Sequence, residues 1–336
     1  MSITVLVTGA TGFIAQHIVV ELLKNGYFVI GTVRSKEKGE RLQSLLDSES
    51  FQYEVVTDIQ KEDALDEVIN KHPQISIALH TASPFHFKSN DPEKDLLLPA
   101  VNGTKNALKL FKKSINITRV VVTSSYAAIA PAKKEIDHSF TISELTWNDV
   151  TWEEALTNPI SGYRGSKTFA ERAAWDFTAE EKPDFVLTTV NPGFVFGPQA
   201  FDSDVRETLN TSSEVINSVI KLKEGDDIPA FKGCFVDVRD VAQAHLVAFE
   251  KESTKNKRLL MSAGRFCTQD ILDILRSNFP SLKAKLPAGE VGSGPSVTAT
   301  LAKIDNSKTK ELLGFNLILL EKSVIDSLSQ ILEAKK

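Results

Sequence analysis

Tyr163 and Lys167 stand four residues apart in the run Ile160-Ser161-Gly162-Tyr163-Arg164-Gly165-Ser166-Lys167-Thr168-Phe169-Ala170-Glu171. Read as the start of an amphipathic helix, that run projects both polar side chains from one face. An ammonium beside a phenol favours the phenolate and draws its pKa down from about 10 toward the working pH, where a general acid is most useful. Tyr-x-x-x-Lys is also an ordinary surface pair on many helices, so the proton-donor reading needs support from the rest of the chain.

That support lies at the other end. The β-branched run Ile3-Thr4-Val5-Leu6-Val7-Thr8 is followed at once by Gly9-Ala10-Thr11-Gly12-Phe13-Ile14-Ala15, and then by a helical pattern with Ile14, Ile18, Val19 and Leu22 on one face, closed by Asn25-Gly26. Strand, glycine turn and helix make a pyrophosphate cradle: glycine lets the backbone approach, and the free amides and dipole of the helix N-terminus attract the anion. The spacing Gly9, Gly12, Ala15 departs from G-x-G-x-x-G, and a purely structural turn is the competing reading. A second strand, Tyr27 to Val33, ends in Arg34, with Lys38 four residues on. An acidic residue there would take a ribose 2′-hydroxyl, whereas a cation suits a 2′-phosphate, so the expected cofactor is NADPH/NADP+. The bland alternative is a solvated charge run.

Composition narrows the classes. The chain has 336 residues, 42% hydrophobic and 25% charged, enough for one large or two unequal lobes with a real core. A net charge of −5 offers no basic footprint for nucleic acid. Cys234 and Cys267 are far apart, and the six histidines, His80 and His86 among them, lack metal spacing, so neither a disulfide framework nor a metal is expected. Neither a leader segment before the first strand nor a lipidation box at the end is expected, and no run approaches the ~20 apolar residues of a membrane span. The expectation is a reduced, cytoplasmic setting without a membrane partner.

Strand patterns at 3–8, 27–33, 52–56, 75–80, 118–124 and 185–191 alternate with helical patterns near 12–25, 36–47, 61–71, 93–114 and 161–181. Further helical patterns fall near 212–224, 238–250, 268–278 and 321–334, and Pro99 implies a kink or a late start in the fourth helix. This is the signature of an α/β fold, a Rossmann-type doubly wound parallel sheet with helices on both faces. After residue 191 the alternation lapses, and 192–198 reads as a rigid Pro/Gly loop. The expected division is residues 1–191 as an NADP-binding Rossmann domain, with 236–256 and about 305–336 returning to it, and 192–235 plus 257–304 as a smaller substrate-binding lobe. Leu96, Leu97, Val101, Leu108 and Leu110 suit either a core or a dimer face, which leaves monomer and homodimer open.

In an open sheet of this kind, ligands sit outside the carboxyl ends of the strands. Asp58 and Ile59 close the third strand and could meet an adenine edge, an ordinary turn being the alternative for Asp58. Thr81-Ala82-Ser83 follows the fourth strand with small side chains that let a cofactor pass. Ser124-Ser125-Tyr126 follows the fifth strand, and Asn191-Pro192-Gly193-Phe194-Val195 the sixth. Phe85, Phe87, Tyr126, Ile129, Ile160 and Phe194 could form an apolar wall suited to a hydrophobic aldehyde or ketone, although most aromatic residues are simply core.

Taken together, Thr8-Gly9-Ala10-Thr11-Gly12-Phe13-Ile14-Ala15, Asp58-Ile59, His80-Thr81-Ala82-Ser83-Pro84, Thr123-Ser124-Ser125 and Tyr163-x-x-x-Lys167 resemble the extended short-chain dehydrogenases/reductases. Within them the chain is similar to the dihydroflavonol-reductase-like branch, and most of all to the fungal NADPH-dependent carbonyl reductases of methylglyoxal and 3-methylbutanal. Leu97 to Gly103, Phe194 to Gln199 and Phe235 to Ala242 extend the likeness over nearly the whole chain.

The resemblance implies that Ser125 hydrogen-bonds the substrate carbonyl, that Tyr163 donates the proton, and that Lys167 tunes Tyr163 and binds the nicotinamide ribose. It implies hydride from the pro-S face of NADPH. Gly9, Ala10, Thr11, Gly12, Phe13 and Ile14 would cradle the pyrophosphate, with Arg34 and Lys38 on the 2′-phosphate and Asp58 and Ile59 at the adenine. Thr81, Ala82 and Ser83 would flank the cofactor, while Pro192, Val195 and Ser212 border the nicotinamide. Phe85, Tyr126, Ile160 and Phe194 would touch the substrate. Arg164-Gly165 stands where family members commonly carry Cys-Gly or Cys-Ala, a departure at the cleft rim. The rival readings are a nucleotide-sugar epimerase or dehydratase on the same scaffold, which retains its cofactor, and a non-catalytic NADP-sensing protein.

Overall fold

In the computed structural model, which describes residues 3–83 and 90–334, the β-branched runs form strands and the amphipathic runs cover them. The first half of the chain runs β1 (Thr4–Thr8), α1 (Phe13–Lys24), β2 (Phe28–Val33), α2 (Lys36–Leu46), β3 (Phe51–Val55), α3 (Asp66–Lys71), β4 (Ile75–His80), α4 (Leu98–Lys113) and β5 (Arg119–Thr123). There follow β6 (Thr141–Ser143), α5 (Trp152–Ala155), α6 (Pro159–Glu181), β7 (Val186–Pro192), β8 (Phe194–Phe196), α7 (Thr211–Ile220) and β9 (Lys232–Asp237). The chain continues with α8 (Val238–Glu250), β10 (Arg258–Met261), β11 (Gly264–Cys267), α9 (Thr268–Asn278), β12 (Lys303–Asp305) and a final helix, Leu320–Glu333.

Seven strands in the order β10-β7-β5-β4-β1-β2-β3 form one sheet, every adjacent pair parallel. The period-2 alternation of each strand feeds two cores. Val5, Val7, Val29 and Val121 face α1 and α8, while Leu6, Ile30, Val120 and Val122 face α4 and α6. Strand order reverses at β1, which lies between β2 and β4, and this opens the crevice at the strands' carboxyl ends. Four leucines of the fourth helical pattern settle into the interior, Leu108 and Leu110 under the sheet and Leu96 and Leu97 beside α5, while Leu98 stays exposed. Pro99 sits in the first turn of α4, and the run before it is helical already from residue 92 but π-helical over Glu93–Leu97, so where a kink or a late start was expected the helix changes its winding instead. No helix among the described residues is long and apolar enough to cross a membrane.

Several segments depart from expectation. The third helix begins only at Asp66, because 61–65 is taken up by turns. Residues 192–198 contain a strand as well as a loop: Gly193 lies so close to Cys234 that a Cβ would come within 2.6 Å of its Sγ, and past this contact β8 pairs with β9. Consequently β9 does not return to the main sheet but joins a three-stranded sheet, β11-β9-β8, and only α8 packs back, against α1. Conversely β10, from the 257–304 stretch assigned to the lobe, pairs with β7 as the edge of the main sheet. The final helix leaves the expected domain too, since Val324 and Leu328 bury against Phe196, Ile216, Phe266 and Leu272 of the smaller layer. An apolar stripe requires a helix to dock without naming the surface that receives it.

Candidate active site

β5 ends at Thr123, and two residues later Ser125 starts a tight turn, its Oγ accepting from the amide of Ala127 at 3.1 Å. The same Oγ lies 3.2 Å from the Tyr163 hydroxyl, so the two groups named from sequence meet at the sheet's carboxyl edge. Tyr163 is carried there by α6, whose start two residues before the expected point has a local cause. Asn158 caps the helix by accepting from the Ser161 amide, and Pro159 occupies its first turn, where a missing N–H costs nothing. Close packing sets the depth of α6: a Cβ on Gly165 would come within 2.4 Å of the Ala155 Cβ, and one on Gly162 within 2.9 Å of Pro92. Lys167, one turn beyond Tyr163, is half-buried like it.

The electrostatics differ from the simple expectation of a phenol lowered by its lysine. Burial raises the Tyr163 pKa, opposed by the Ser125 hydrogen bond and by the Arg164 charge. Burial also brings the Lys167 ammonium down to about 8, opposed by the Glu171 carboxylate. The phenol therefore keeps its proton until a partner takes it, next to a cation that stabilises the anion left behind.

Beneath this pair lies a polar floor that the sequence reading missed. The Glu171 side chain is fully buried, and its Oε1 accepts from Arg258 Nε at 2.6 Å, Thr189 Oγ1 at 3.2 Å and Trp175 Nε1 at 3.2 Å. Its Oε2 accepts from Ser124 Oγ and Asn191 Nδ2. Asn191 Nδ2 also donates to the Ser125 carbonyl at 3.2 Å. Arg258 stacks 3.7 Å over Trp147 and donates to the carbonyls of Glu144 and Thr146. Glu171 was visible in the sequence at one further helical turn from Lys167 and Asn191 at the end of the sixth strand, but Arg258 carried no local signal and nothing local joined the three.

The cofactor side is built differently. Gly9 has φ +68°, and a Cβ there would stand 3.2 Å from the Ala82 Cα, so the turn holds β1 against the Thr81–Ser83 segment at a spacing only glycine allows. Thr8 Oγ1 accepts from the Thr81 and Ala82 amides at 3.1 Å, and Thr81 Oγ1 donates to the Thr8 carbonyl. Gly12 begins α1 with no side-chain cap, leaving the first-turn amides of Phe13 and Ile14 to an anion. Ala10 is buried and Thr11 half-buried in the same turn. Arg34 is exposed just past β2 and Lys38 in the first turn of α2, and neither carries an ion pair among the described residues, whereas neighbouring Lys36 and Arg41 pair with Glu40 and Asp204. A glycine cradle, an open helix N-terminus and two free cations fit a dinucleotide bearing an extra phosphate.

Other expected positions divide. Asp58 Oδ1 accepts from the Gln60 amide at 2.9 Å, the turn-forming role weighed as its alternative, and Ile59 packs on the α4-side core. Pro192 is buried where β7 pairs with β10, Val195 is buried in β8, and Ser212 is half-buried in the first turn of α7. Tyr126 is nearly buried, its hydroxyl 3.4 Å from Arg265 Nη1. Phe194 packs edge-on against Phe231 and Phe266 in the small layer, and Ile160 is exposed. Ile129 is fully buried core. Phe85, with Pro84, His86 and Phe87, lies outside the described residues. Arg164, the rim departure, pairs with Glu135 at 2.7 Å and donates to the Ala130 carbonyl. His80 is buried with its Nδ1 3.1 Å from the Thr8 hydroxyl, and burial pushes it down to about 4, so it stays neutral. Among the described residues no His, Cys, Asp and Glu group is arranged to hold a metal, and both cysteines are buried and free. Asp237 caps α8 and pairs with Arg239, which also holds Asp326, a structural ion cluster.

Comparison with known proteins bears on this geometry. The NAD dependent epimerase/dehydratase family matches residues 5–262. The chain is 51% identical to the NADPH-dependent methylglyoxal reductase of Saccharomyces cerevisiae over 98% of each chain. The crystal structure of the yeast methylglyoxal/isovaleraldehyde reductase complexed with NADPH is 50% identical, with a TM-score of 0.97 over 99% of both chains. Gre2 from Candida albicans in complex with NADPH is 54% identical, with a TM-score of 0.98 over 99% of this chain and 100% of that one.

Proposed function

The chain belongs to the NAD dependent epimerase/dehydratase family, and from that premise we propose that it is an NADPH-dependent carbonyl reductase converting aldehydes and ketones to alcohols. The observation that carries the reading is the 3.2 Å meeting of the Ser125 and Tyr163 hydroxyls, one helical turn from Lys167, at the edge where the Gly9 turn and the two free cations also lie. NADPH, when bound, supplies the hydride. Gly9 through Ile14 would hold its pyrophosphate, Arg34 and Lys38 its 2′-phosphate, and Asp58 with Ile59 its adenine end. Thr81, Ala82, Ser83, Pro192, Val195 and Ser212 would line the rest.

The chain's own residues handle the oxygen. Negative charge grows on a carbonyl oxygen as its carbon is reduced, and donors aimed at that point stabilise the transition state more than the ground state. Ser125 donates a hydrogen bond to this oxygen. Tyr163, kept protonated by burial, transfers its phenolic proton to it. Lys167 places its ammonium beside the phenolate that remains and would hold the nicotinamide ribose. Tyr126, Phe194, Ile160 and Phe85 are the residues assigned to the substrate, and their apolar character suits branched or aromatic aldehydes, diketones and keto esters. The free buried cysteines suit a reduced cytoplasm, and a monomer or homodimer is expected.

Excess NADPH with 3-methylbutanal or methylglyoxal tests the reading. Stoichiometric, aldehyde-dependent loss of NADPH absorbance is the expected result. A cofactor retained on the protein with no such loss would replace the reductase with an epimerase or dehydratase.

A further inference from the structure

We propose that Glu171 is a positioning residue for the reduction: through Ser124 and Asn191 it fixes the Ser125 turn, and from one helical turn away on α6 it sets a carboxylate against the Lys167 ammonium. The inference rests on the catalytic reading of Ser125, Tyr163 and Lys167 given above.

A fully buried carboxylate needs compensation, and Glu171 has it from four elements: Ser124 after β5, Trp175 on α6, Thr189 and Asn191 on β7, and Arg258 on β10. The site would fold more simply with apolar residues in these places, because a buried ion pair stabilises weakly compared with a well-packed hydrophobic replacement. What the carboxylate provides is registration. Each carboxylate oxygen accepts in a fixed direction, and Asn191 Nδ2 is shared between Glu171 and the Ser125 carbonyl, so the carboxylate sets the backbone from which the Ser125 hydroxyl projects.

The second role is electrostatic. Glu171 follows Lys167 by one turn on the same helix and opposes the burial that lowers the lysine. The other groups acting in this region are His80 on β4, neutral above about pH 4 and coupled to Lys167, Arg164 beside Tyr163 on α6, and Arg258 on β10, whose charge Glu171 neutralises. Loss of the carboxylate therefore removes an anion and uncovers a buried cation, and both changes favour deprotonation of Lys167.

Two variants separate reach from charge. In Glu171→Gln the charge goes: kcat should fall by about ten- to a hundred-fold, as for a misplaced catalytic group, with the NADPH Kd within about threefold of the parent. The alkaline limb of its kcat/KM profile should move to lower pH by about half a unit or more. In Glu171→Asp the charge stays and the reach shortens: the limb should remain in place while kcat falls by about three- to thirtyfold. Parental kcat in both variants overturns the proposal, and so does a kcat loss in the Gln variant with an unmoved limb, which would indicate a merely structural residue. If the Gln variant does not fold, the Asp variant decides, and parental kcat there overturns the positioning role. Tyr163→Phe run alongside keeps the two readings apart: if it stays active, the catalytic assignment has failed, and if it is inactive while both Glu171 variants match the parent, only this inference has failed.

Discussion

The catalytic corner and the cofactor rim of this site are built on opposite terms. The Ser125 turn rests on buried hydrogen bonds that converge on Glu171, and Tyr163 and Lys167 ride on a helix lowered into place by Gly162 and Gly165. The Gly9–Ile14 turn, Arg34 and Lys38 instead present an uncapped helix start and two exposed cations without an ion pair among the described residues. The difference follows from what each must do. Proton transfer requires heavy atoms held within hydrogen-bond reach, so its groups are braced before substrate arrives. Gripping a charged dinucleotide requires donors whose capacity has not already been spent on the protein.

The largest effect should come from breaking the braced side. Tyr163→Phe removes the acid and leaves the ring, and turnover should drop by about 100- to 10,000-fold while NADPH affinity, followed by fluorescence titration, stays close to the parent. A matching loss of affinity would mean that the two sides are not separable. Arg34→Glu acts on the other side. It should weaken NADPH by roughly 1.5–3 kcal/mol, or about ten- to a hundred-fold in Kd, and affect kcat at saturating cofactor far less. Equal binding of NADH and NADPH by the parent would remove the basis for that expectation.

Gly165→Ala tests whether the corner is as rigid as its packing indicates. The new methyl would meet Ala155 at 2.4 Å, and overpacking of this kind costs about 1–3 kcal/mol. The loss should appear as a lower urea midpoint, and an unchanged midpoint would show that α5 yields. The smallest effect is in the parent itself. Because burial sets Lys167 at about 8 and its charged form is the low-pH form, kcat/KM should halve as pH rises through about 8. A profile flat to pH 9.5 would mean that the lysine charge does not matter to the rate-limiting step.

How far each region was legible depends on how local its cause is. The Gly9 turn could be read because strand, glycine and helix signals lie within a few residues of one another. The role proposed for Arg34 draws only on the end of one strand. Tyr163 and Lys167 were legible as a pair because a helix brings residues four apart onto one face, and Ser125 because a strand end reaches the crevice. The pKa of Tyr163 was read in the wrong direction, since the neighbouring charge is visible in sequence and the desolvation is not.

The alternation of β-branched and amphipathic runs, set by local periodicity, was sufficient to determine a parallel sheet covered on both faces and the identity of the residues at its open edge. Only the tertiary structure decided that β10 rather than β9 closes that sheet, that the final helix covers the small layer, and that Glu171, Asn191 and Arg258 meet under Ser125. The choice of a docking surface, and the company of a buried charge, depend on contacts between segments far apart in the chain, and no short stretch of residues carries that information.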